Sequence, residues 1–366
     1  MNIPVMNLKD GLVDIKEEIY KKIEYLIENT RFIGGDEVED FEKEFAEFCQ
    51  TKYAVGCSNG TDALILALKT LNVQPEDTVL VPANTFIATS EAVTAIGANV
   101  EFVDIEGDYF TIDPVKIEEK LKSSEKKISA IIVVHLYGQM ANMPVISELA
   151  HKYGVKVIED SSQAHGSQLQ GYLPGKWGDL ATYSFYPGKN LGAFGDAGAV
   201  TTNNEEYYMH IKMIVNHGRW KEKYTHSIEG FNKRIDTIQA AILRIKLTKL
   251  NYWNELRENK ASIYMDKLID KQLTLPKIRE GASPVWHIFA IKIQNRDDIK
   301  EYLKKKGVST GIHYPIPLHL QPAYKYKGYK LGDFPVSERC ALEQLSLPFW
   351  PEISEEEIDY VANLLE

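Results

Sequence analysis

Apolar residues recur along this chain in two rhythms, short unbroken runs and stripes spaced three or four residues apart. Ile15, Ile19, Ile23, Leu26 and Ile27 form a stripe that predicts a helix over 14–29. Gly34 and Gly35 break it, and Val38, Phe41, Phe45 and Phe48 mark a second helix. YAVGC (53–57) reads as a strand, and SNGTDALILALKTL as a turn feeding a helix that begins near Thr61. Strands are predicted at 78–82, 99–104 and 129–138, then in VKVIED, which ends at Asp160, with helices at 86–97, 114–122 and 144–153. Thr182 to Phe185 is another β-like run. Short apolar strands alternating with amphipathic helices predict an α/β fold whose mostly parallel sheet is covered on both faces. Beyond Thr202 a helical segment leads into a polar stretch, 216–236, carrying Arg219, Lys221, Lys223 and Arg234. It is too long for a tight turn and reads as a functional loop or interaction arm. A long helix from about Thr237 to Leu268 then links to a smaller C-terminal part. That part holds a strand-like VWHIFAIKI, a helix DDIKEYLKKKG, the Pro-rich loop GIHYPIPLHLQPAY and a last helix from Ser354. Two domains are expected, a large one over 1–245 and a small α+β one over 246–366.

The 366 residues are 44% hydrophobic, enough for a large core. A net charge of -10 argues against a nucleic-acid partner, but a few local basic residues suffice for a small anion. Cys49, Cys57 and Cys340 are scattered, with neither metal-ligand spacing nor a disulfide framework. They fit a reducing compartment, and no metal site is expected. MNIPVMNLKD lacks the basic and apolar regions of a signal peptide, and no apolar run approaches the ~20 residues of a membrane span. A cytoplasmic protein without a membrane partner is therefore expected.

The candidate chemistry gathers between Lys156 and Thr202. KVIED places Asp160 at a strand end, and the run Thr182–Phe185 leads within four residues to Lys189, set among glycines and a proline. Open α/β sheets build their sites at strand ends. An acid at one strand end and a lysine past another is the pair that pyridoxal phosphate needs. The lysine forms an imine with the cofactor aldehyde, and the acid keeps the pyridine nitrogen protonated. Either residue alone is ordinary in an α/β protein, so the pair carries the reading. Ser58, Asn59, Gly60 and Thr61 open a helix directly after a strand, which suits a phosphate and equally suits a plain N-cap. Phe86 follows a strand end, where it stacks on a flat ring or joins the core. His313 and Tyr314 lie between prolines in a loop that is either a fixed binding surface or merely structural.

The ordered motifs RFIGGDEVEDFE, SNGTDAL, PANTFIAT, VHLYGQ, EDSSQAHG, SFYPGKNLGAFGDAGA, GFNKRIDTIQAAIL and GIHYPIPLHLQPAY run over nearly the whole chain. They resemble the sugar aminotransferases of the DegT/DnrJ/EryC1/StrS family, which are fold-type I pyridoxal-phosphate enzymes. The resemblance implies that Lys189 is the cofactor lysine, that Asp160 partners the pyridine nitrogen and that Gln163 donates to the ring hydroxyl. It implies a phosphate cradle of Gly60, Thr61 and Ser184, and Phe86 is kept among the candidate cofactor contacts. Asn232 resembles an asparagine that reaches the phosphate from a neighbouring subunit, which implies a homodimer with shared sites. On the substrate side, Arg31, Arg219 and Lys223 are candidates for diphosphate or glutamate carboxylates. His313, Tyr314 and Tyr183 are candidates for the sugar. The implied reaction moves an amino group from L-glutamate to a nucleotide-linked keto sugar. The SFYPGKNLGAFGDAGA flank most resembles the branch acting at C3 of dTDP-3-keto-6-deoxyhexoses. C4 transamination and sugar dehydration stay as alternatives, although the retained lysine favours transamination.

Overall fold

The computed structural model describes residues 1–220 and 222–365, so Lys221 of the polar stretch lies outside the described residues. Seven apolar runs pair into one sheet: β1 (Tyr53–Cys57), β2 (Thr78–Pro82), β3 (Asn99–Val103), β4 (Ile128–Val134), β5 (Lys156–Asp160), β7 (Leu180–Ser184) and β8 (Gly198–Thr202). A two-residue strand, β6 (Gln168–Leu169), lies outside it. The order across the sheet is β1-β8-β7-β5-β4-β2-β3. Only β8 runs against its neighbours, pairing antiparallel with β1 and with β7. The run 129–138 was expected to stay extended, yet β4 stops at Val134. Leu136–Gly138 makes a single helical turn there, with Tyr137 at φ 60° and its N–H given to Gln163 Oε1 at 2.7 Å.

Strand residues alternate between two apolar layers, as the two-residue strand period requires. Val79, Val81 and Ile132 pack with Leu64 and Ala67 of α3 (Gly60–Thr70), Val93 of α4 (Ala88–Ala95) and Ile211 of α7 (Glu205–Ile214). Leu80, Ile131 and Val133 face the other way, onto Ile117 of α5 (Pro114–Ser123) and Ile146 of α6 (Met143–Tyr153). Helix starts follow local chemistry. Asp113 caps α5 through Val115 N–H with Pro114 behind it, and Asn204 caps α7. The two N-terminal helices are α1 (Lys16–Glu28) and α2 (Asp36–Phe48), and α2 buries Phe41 and Phe45 against Tyr183 and Phe185.

Helix α8 (Thr237–Leu268) begins in that layer through Ala240 and Leu243. It ends in a second core through Ala261, Tyr264 and Leu268, running unbroken through 245–246. The second core is built on β10 (Ala290–Lys292), α9 (Arg296–Lys305), β11 (Gln344–Ser346) and α11 (Glu355–Leu364). It also takes in Ile3 from the start of the chain, which bonds Gly307 and Ser309. β9 (Ala282–Ser283) pairs with β6, and α10 (Pro335–Glu343) precedes β11. Of the strand expected over VWHIFAIKI, only Ala290–Lys292 forms. Val285 and His287 instead donate their N–H groups to Gly138 O and Tyr137 O at 2.9 Å, pinned to the turn after β4.

Candidate active site

A cavity of about 880 Å³ opens where the parallel strands end. Each strand brings its polar group by ending there. Asp160 closes β5, buried, with Oδ2 accepting from Thr89 Oγ1 at 3.3 Å and Oδ1 from Ser162 N–H at 3.1 Å. Gln163 follows in the next turn. Its Oε1 is held by the Tyr137 N–H, so its NH₂ is the group left to donate, and it approaches the Tyr314 hydroxyl at 3.4 Å.

β1 feeds directly into α3. Asn59 caps that helix by accepting from Asp62 N–H at 2.8 Å, which leaves the first-turn N–H groups of Gly60 and Thr61 facing the cavity. Ser184, at the end of β7, comes against them. A Cβ on Gly60 would stand 2.6 Å from Ser184 Cβ, so the close approach exists only because residue 60 is glycine. The Asp62 carboxylate is engaged by Ser58 and Lys233 and does not oppose an anion alone.

Lys189 closes a turn, giving its N–H to Tyr186 O at 2.8 Å. The loop then folds back so tightly that a Cβ on Gly192 would lie 2.3 Å from Pro187 O. Lys189 lines the cavity with Asp160 and Gln163, and burial pushes its amine down to about 8, with Asp160 pulling the other way. Roughly a tenth of such an amine is unprotonated at pH 7, far more than for a lysine in water. His313, bonded to Ser346 Oγ at 2.8 Å, is pushed down to about 4 by burial and by the Lys189 charge. Tyr314 holds its proton well above the usual phenol range, through burial and then the Asp160 charge. Its ring sits 5.8 Å from that of Phe86, which is half-exposed on the cavity wall.

These groups fit pyridoxal phosphate. The unpaired helix N-terminus beside Ser184 suits a phosphate, Asp160 a pyridine nitrogen, the Gln163 amide a ring hydroxyl and the neutral-leaning Lys189 an aldehyde. Gly60, Thr61, Phe86, Asp160, Gln163, Ser184, Lys189, His313 and Tyr314 thus share one cavity. Tyr183 is a correction. It is 1% exposed, with its ring centroid 4.9 Å from that of Phe45 in an edge-to-face pair, because β7 alternation sends it to the face opposite Ser184. Tyr186, two residues past Ser184, is the tyrosine on the cavity wall, and the period of two was the signal that could have found it. Arg31 pairs with Asp36 at 3.1 Å, Arg219 with Asn216 Oδ1 at 2.9 Å, and Lys223 lies over Tyr224. None of these three, nor exposed Asn232, lines this chain's cavity. Thr89 and His287, both on the wall, carried no periodic signal. Cys49, Cys57 and Cys340 are buried and free, and no metal-binding cluster occurs among the described residues.

The chain is similar to known proteins over nearly its whole length. The chain is 42% identical over 361 residues to a dTDP-3-amino-3,6-dideoxy-alpha-D-galactopyranose transaminase of Aneurinibacillus thermoaerophilus, covering 99% of this chain and 98% of that one. It is 39% identical to a UDP-N-acetyl-3-dehydro-alpha-D-glucosamine 3-aminotransferase of Acidithiobacillus ferrooxidans, over 99% and 97% of the two chains. Among solved structures, Streptomyces venezuelae DesV in complex with a ketimine intermediate superposes with a TM-score of 0.95 at 38% identity, over 99% and 97% of the chains. Bacillus subtilis NtdA with bound pyridoxamine phosphate gives 0.92 at 35%, over 100% and 84%. The profile of the DegT/DnrJ/EryC1/StrS aminotransferase family matches residues 13–366, and this chain belongs to that family as a pyridoxal-phosphate-dependent aminotransferase.

Proposed function

We propose that the protein moves the amino group of L-glutamate to C3 of a dTDP-linked 3-keto-6-deoxyhexose, giving a dTDP-3-amino-3,6-dideoxyhexose. The observation that carries the reading is the meeting of Lys189, Asp160, Gln163 and the Gly60–Ser184 cradle in one cavity, beside a second wall of Tyr186, His313 and Tyr314. Bound pyridoxal phosphate supplies an electron sink for a carbanion. Gly60, Thr61 and Ser184 hold its phosphate, and Asp160 holds a proton at the pyridine nitrogen. Gln163 donates to the ring hydroxyl, and Phe86 covers the ring. The Lys189 amine would take the proton from the glutamate α-carbon and release it two bonds away, across the nitrogen, as base and then acid. The same groups act in reverse order when the keto sugar receives the amine. His313 and Tyr314 face the hexose. Support for C3 comes from the lysine flank and from the two transferase relatives, whose names place the nitrogen at C3. One of those names carries UDP, so the nucleotide is part of the test.

Arg31, Arg219, Lys223 and Asn232 fit this reading in a homodimer, where they serve the site of a second copy. A large cofactor domain over 1–245 and a small domain over 246–366 fit it as well, as does a cytoplasmic location. No helix among the described residues is long and apolar enough to cross a membrane. The experiment is incubation with L-glutamate and a panel of dTDP- and UDP-linked 3-keto and 4-keto sugars, with products identified by mass spectrometry and NMR. A dTDP-3-amino sugar with stoichiometric 2-oxoglutarate is expected. A 4-amino product, or loss of water without amino transfer, would replace the reading with one of its alternatives.

A further inference from the structure

The segment 285–287 is tied to the lysine loop by a chain of side-chain amides. The Asn254 amide donates to His165 O at 2.8 Å, so its Oδ1 faces Asn190. The Asn190 amide donates to that Oδ1 at 3.0 Å and to Val285 O at 2.9 Å. Val285 O is a backbone carbonyl and the Asn254 oxygen is oriented by that residue's bond to His165 O, so Asn190 cannot be flipped and its Oδ1 must be the atom facing His287 Nδ1, 3.1 Å away. An oxygen there requires a proton on Nδ1. His287 is therefore the Nδ1–H tautomer, and its Nε2 carries a bare lone pair with no partner among the described residues. His287 lines the same cavity as Lys189, whose Nζ likewise has no hydrogen-bond partner among the described residues.

We propose that His287 is a positioning residue for Lys189: its bare Nε2 accepts a hydrogen bond from Nζ whenever the lysine is not joined to the cofactor, aiming the amine lone pair at the proton to be moved. Asn190, the next residue after Lys189, grips the imidazole and keeps acceptor and lysine in register. Lys189 and His287 line one cavity, and the lysine's flexible four-carbon stem gives its amine reach within it. The titratable and charged groups around the imidazole are Lys189, Arg257, His165 and His313, with Asp160 beside Lys189. Burial and then the Lys189 charge hold His287 neutral, so it keeps the lone pair and does not carry the proton away. The proposal rests on the role given to Lys189 above.

The test uses the holoenzyme in its pyridoxamine-phosphate form, in which Lys189 is free, and measures carbamylation of Lys189 by cyanate across pH 6–9 by peptide mass spectrometry. His287→Asn keeps a donor where Nδ1 stands and loses Nε2. His287→Gln keeps a polar atom where Nε2 stands. Losing a bond that is stronger to the ammonium than to the amine lowers the lysine pKa, so His287→Asn labels several-fold faster, up to about tenfold, at pH 6.5. His287→Gln stays within about twofold of wild type. The same His287→Asn variant lowers kcat with the KM for glutamate unchanged. Equal labelling of wild type and His287→Asn overturns the proposal. If either variant fails to fold, long-range ¹H–¹⁵N correlation on the wild-type imidazoles decides, and a proton on Nε2 of His287 overturns it. A wrong role for Lys189 has a different signature, namely labelling that is the same in the pyridoxal and pyridoxamine forms.

Discussion

Single side chains divide here into groups that act through charge and groups that act by refusing it. Asp160 belongs to the first kind. Asparagine in its place keeps an acceptor for Thr89 or Ser162 but cannot hold a proton at a pyridine nitrogen. Asp160→Asn is expected to fold and to link cofactor, while removal of the glutamate α-proton slows by several tenfold steps, each about 1.36 kcal/mol of transition-state stabilisation. Rapid-mixing absorbance with L-glutamate reads this directly, and a rate within a few-fold of wild type would place the pyridinium partner elsewhere. Lys189→Ala is expected to leave the thermal transition in place and abolish turnover, because the lysine contributes a cavity wall and little core. Turnover near wild-type rate would remove it from the chemistry. The second kind is histidine. His165 is pushed down to about 3 and His313 to about 4, in both cases chiefly by burial, and His287 is lowered as well. Their folded pKa values lie below the unfolded value of 6.5, so above that pH neither state gains protons and the full stability is present. As pH falls below 6.5 the unfolded chain takes up protons that the folded chain refuses, and stability declines toward pH 4 and below. Each such histidine adds a slope of about 1.4 kcal/mol per pH unit within its window. Urea midpoints at pH 7.5, 6 and 5 should fall steadily. His165→Phe, in a site between the rings of Tyr183 and Phe185, should flatten the slope; an unchanged slope in that variant would show that His165 titrates normally.

At the scale of elements, the site depends on how closely a helix start meets a strand end. Gly60→Ala would press a Cβ to 2.6 Å from Ser184 Cβ, and neither α3 nor the buried β7 has room to yield. A loss of about 1–3 kcal/mol in stability is expected from such overpacking. Affinity for pyridoxal phosphate should weaken about tenfold or more as the N–H groups draw back from Ser184, a loss of about 1.4 kcal/mol. Cofactor titration followed by absorbance checks it, and unchanged affinity would mean that the cradle tolerates the shift. These contacts also show why some elements were legible in the chain and others were not. β1 and β2 have the residues that their apolar runs predict and β5 starts one residue later than its run, because strands covered on both faces read as near-continuous apolar runs. Asp160 and Lys189 could be found because strand ends are where such sheets place polar groups. The strand period of two turns Ser184 and Tyr186 to the cavity and Tyr183 to Phe45, so Tyr183 belongs to the core and not to the sugar side. His287 left no trace because VWHIFAIKI has the composition of a strand. What holds Val285 and His287 is a pair of bonds to Tyr137 and Gly138, far away in sequence. Long-range backbone contacts of that kind have no local signature.

The whole molecule has a surface that a single copy leaves unexplained. Phe32 and Ile33 are 46% and 64% exposed, and Ile33 bridges Asp236, four residues from Asn232. Trp220 and Tyr224, at 43% and 82%, stand on the same polar stretch. Exposed apolar side chains on and beside such an arm fit the contact surface of the proposed homodimer. Asn232 itself is exposed and away from this chain's cavity, although Lys233 next to it bonds Asp62 at the start of α3. If the proposed homodimer sets each arm beside the other chain's α3, each site needs Lys189 from one chain and Asn232 from the other. That geometry has a consequence no single-chain site shares. Lys189→Ala homodimers lack the lysine at both sites, and homodimers of a bulky variant such as Asn232→Trp have both phosphate cradles obstructed. In a heterodimer of the two, both defects fall on one site and the other is intact. Mixing the two inactive proteins under conditions of subunit exchange should therefore restore activity, up to about a quarter of the wild-type value for random pairing in a two-fold symmetric dimer. Native mass spectrometry reports the heterodimer and an amino-sugar assay reports its turnover. A heterodimer present in full and wholly inactive would mean that Asn232 serves its own chain's cofactor, because both defects would then remain on separate sites, one in each chain.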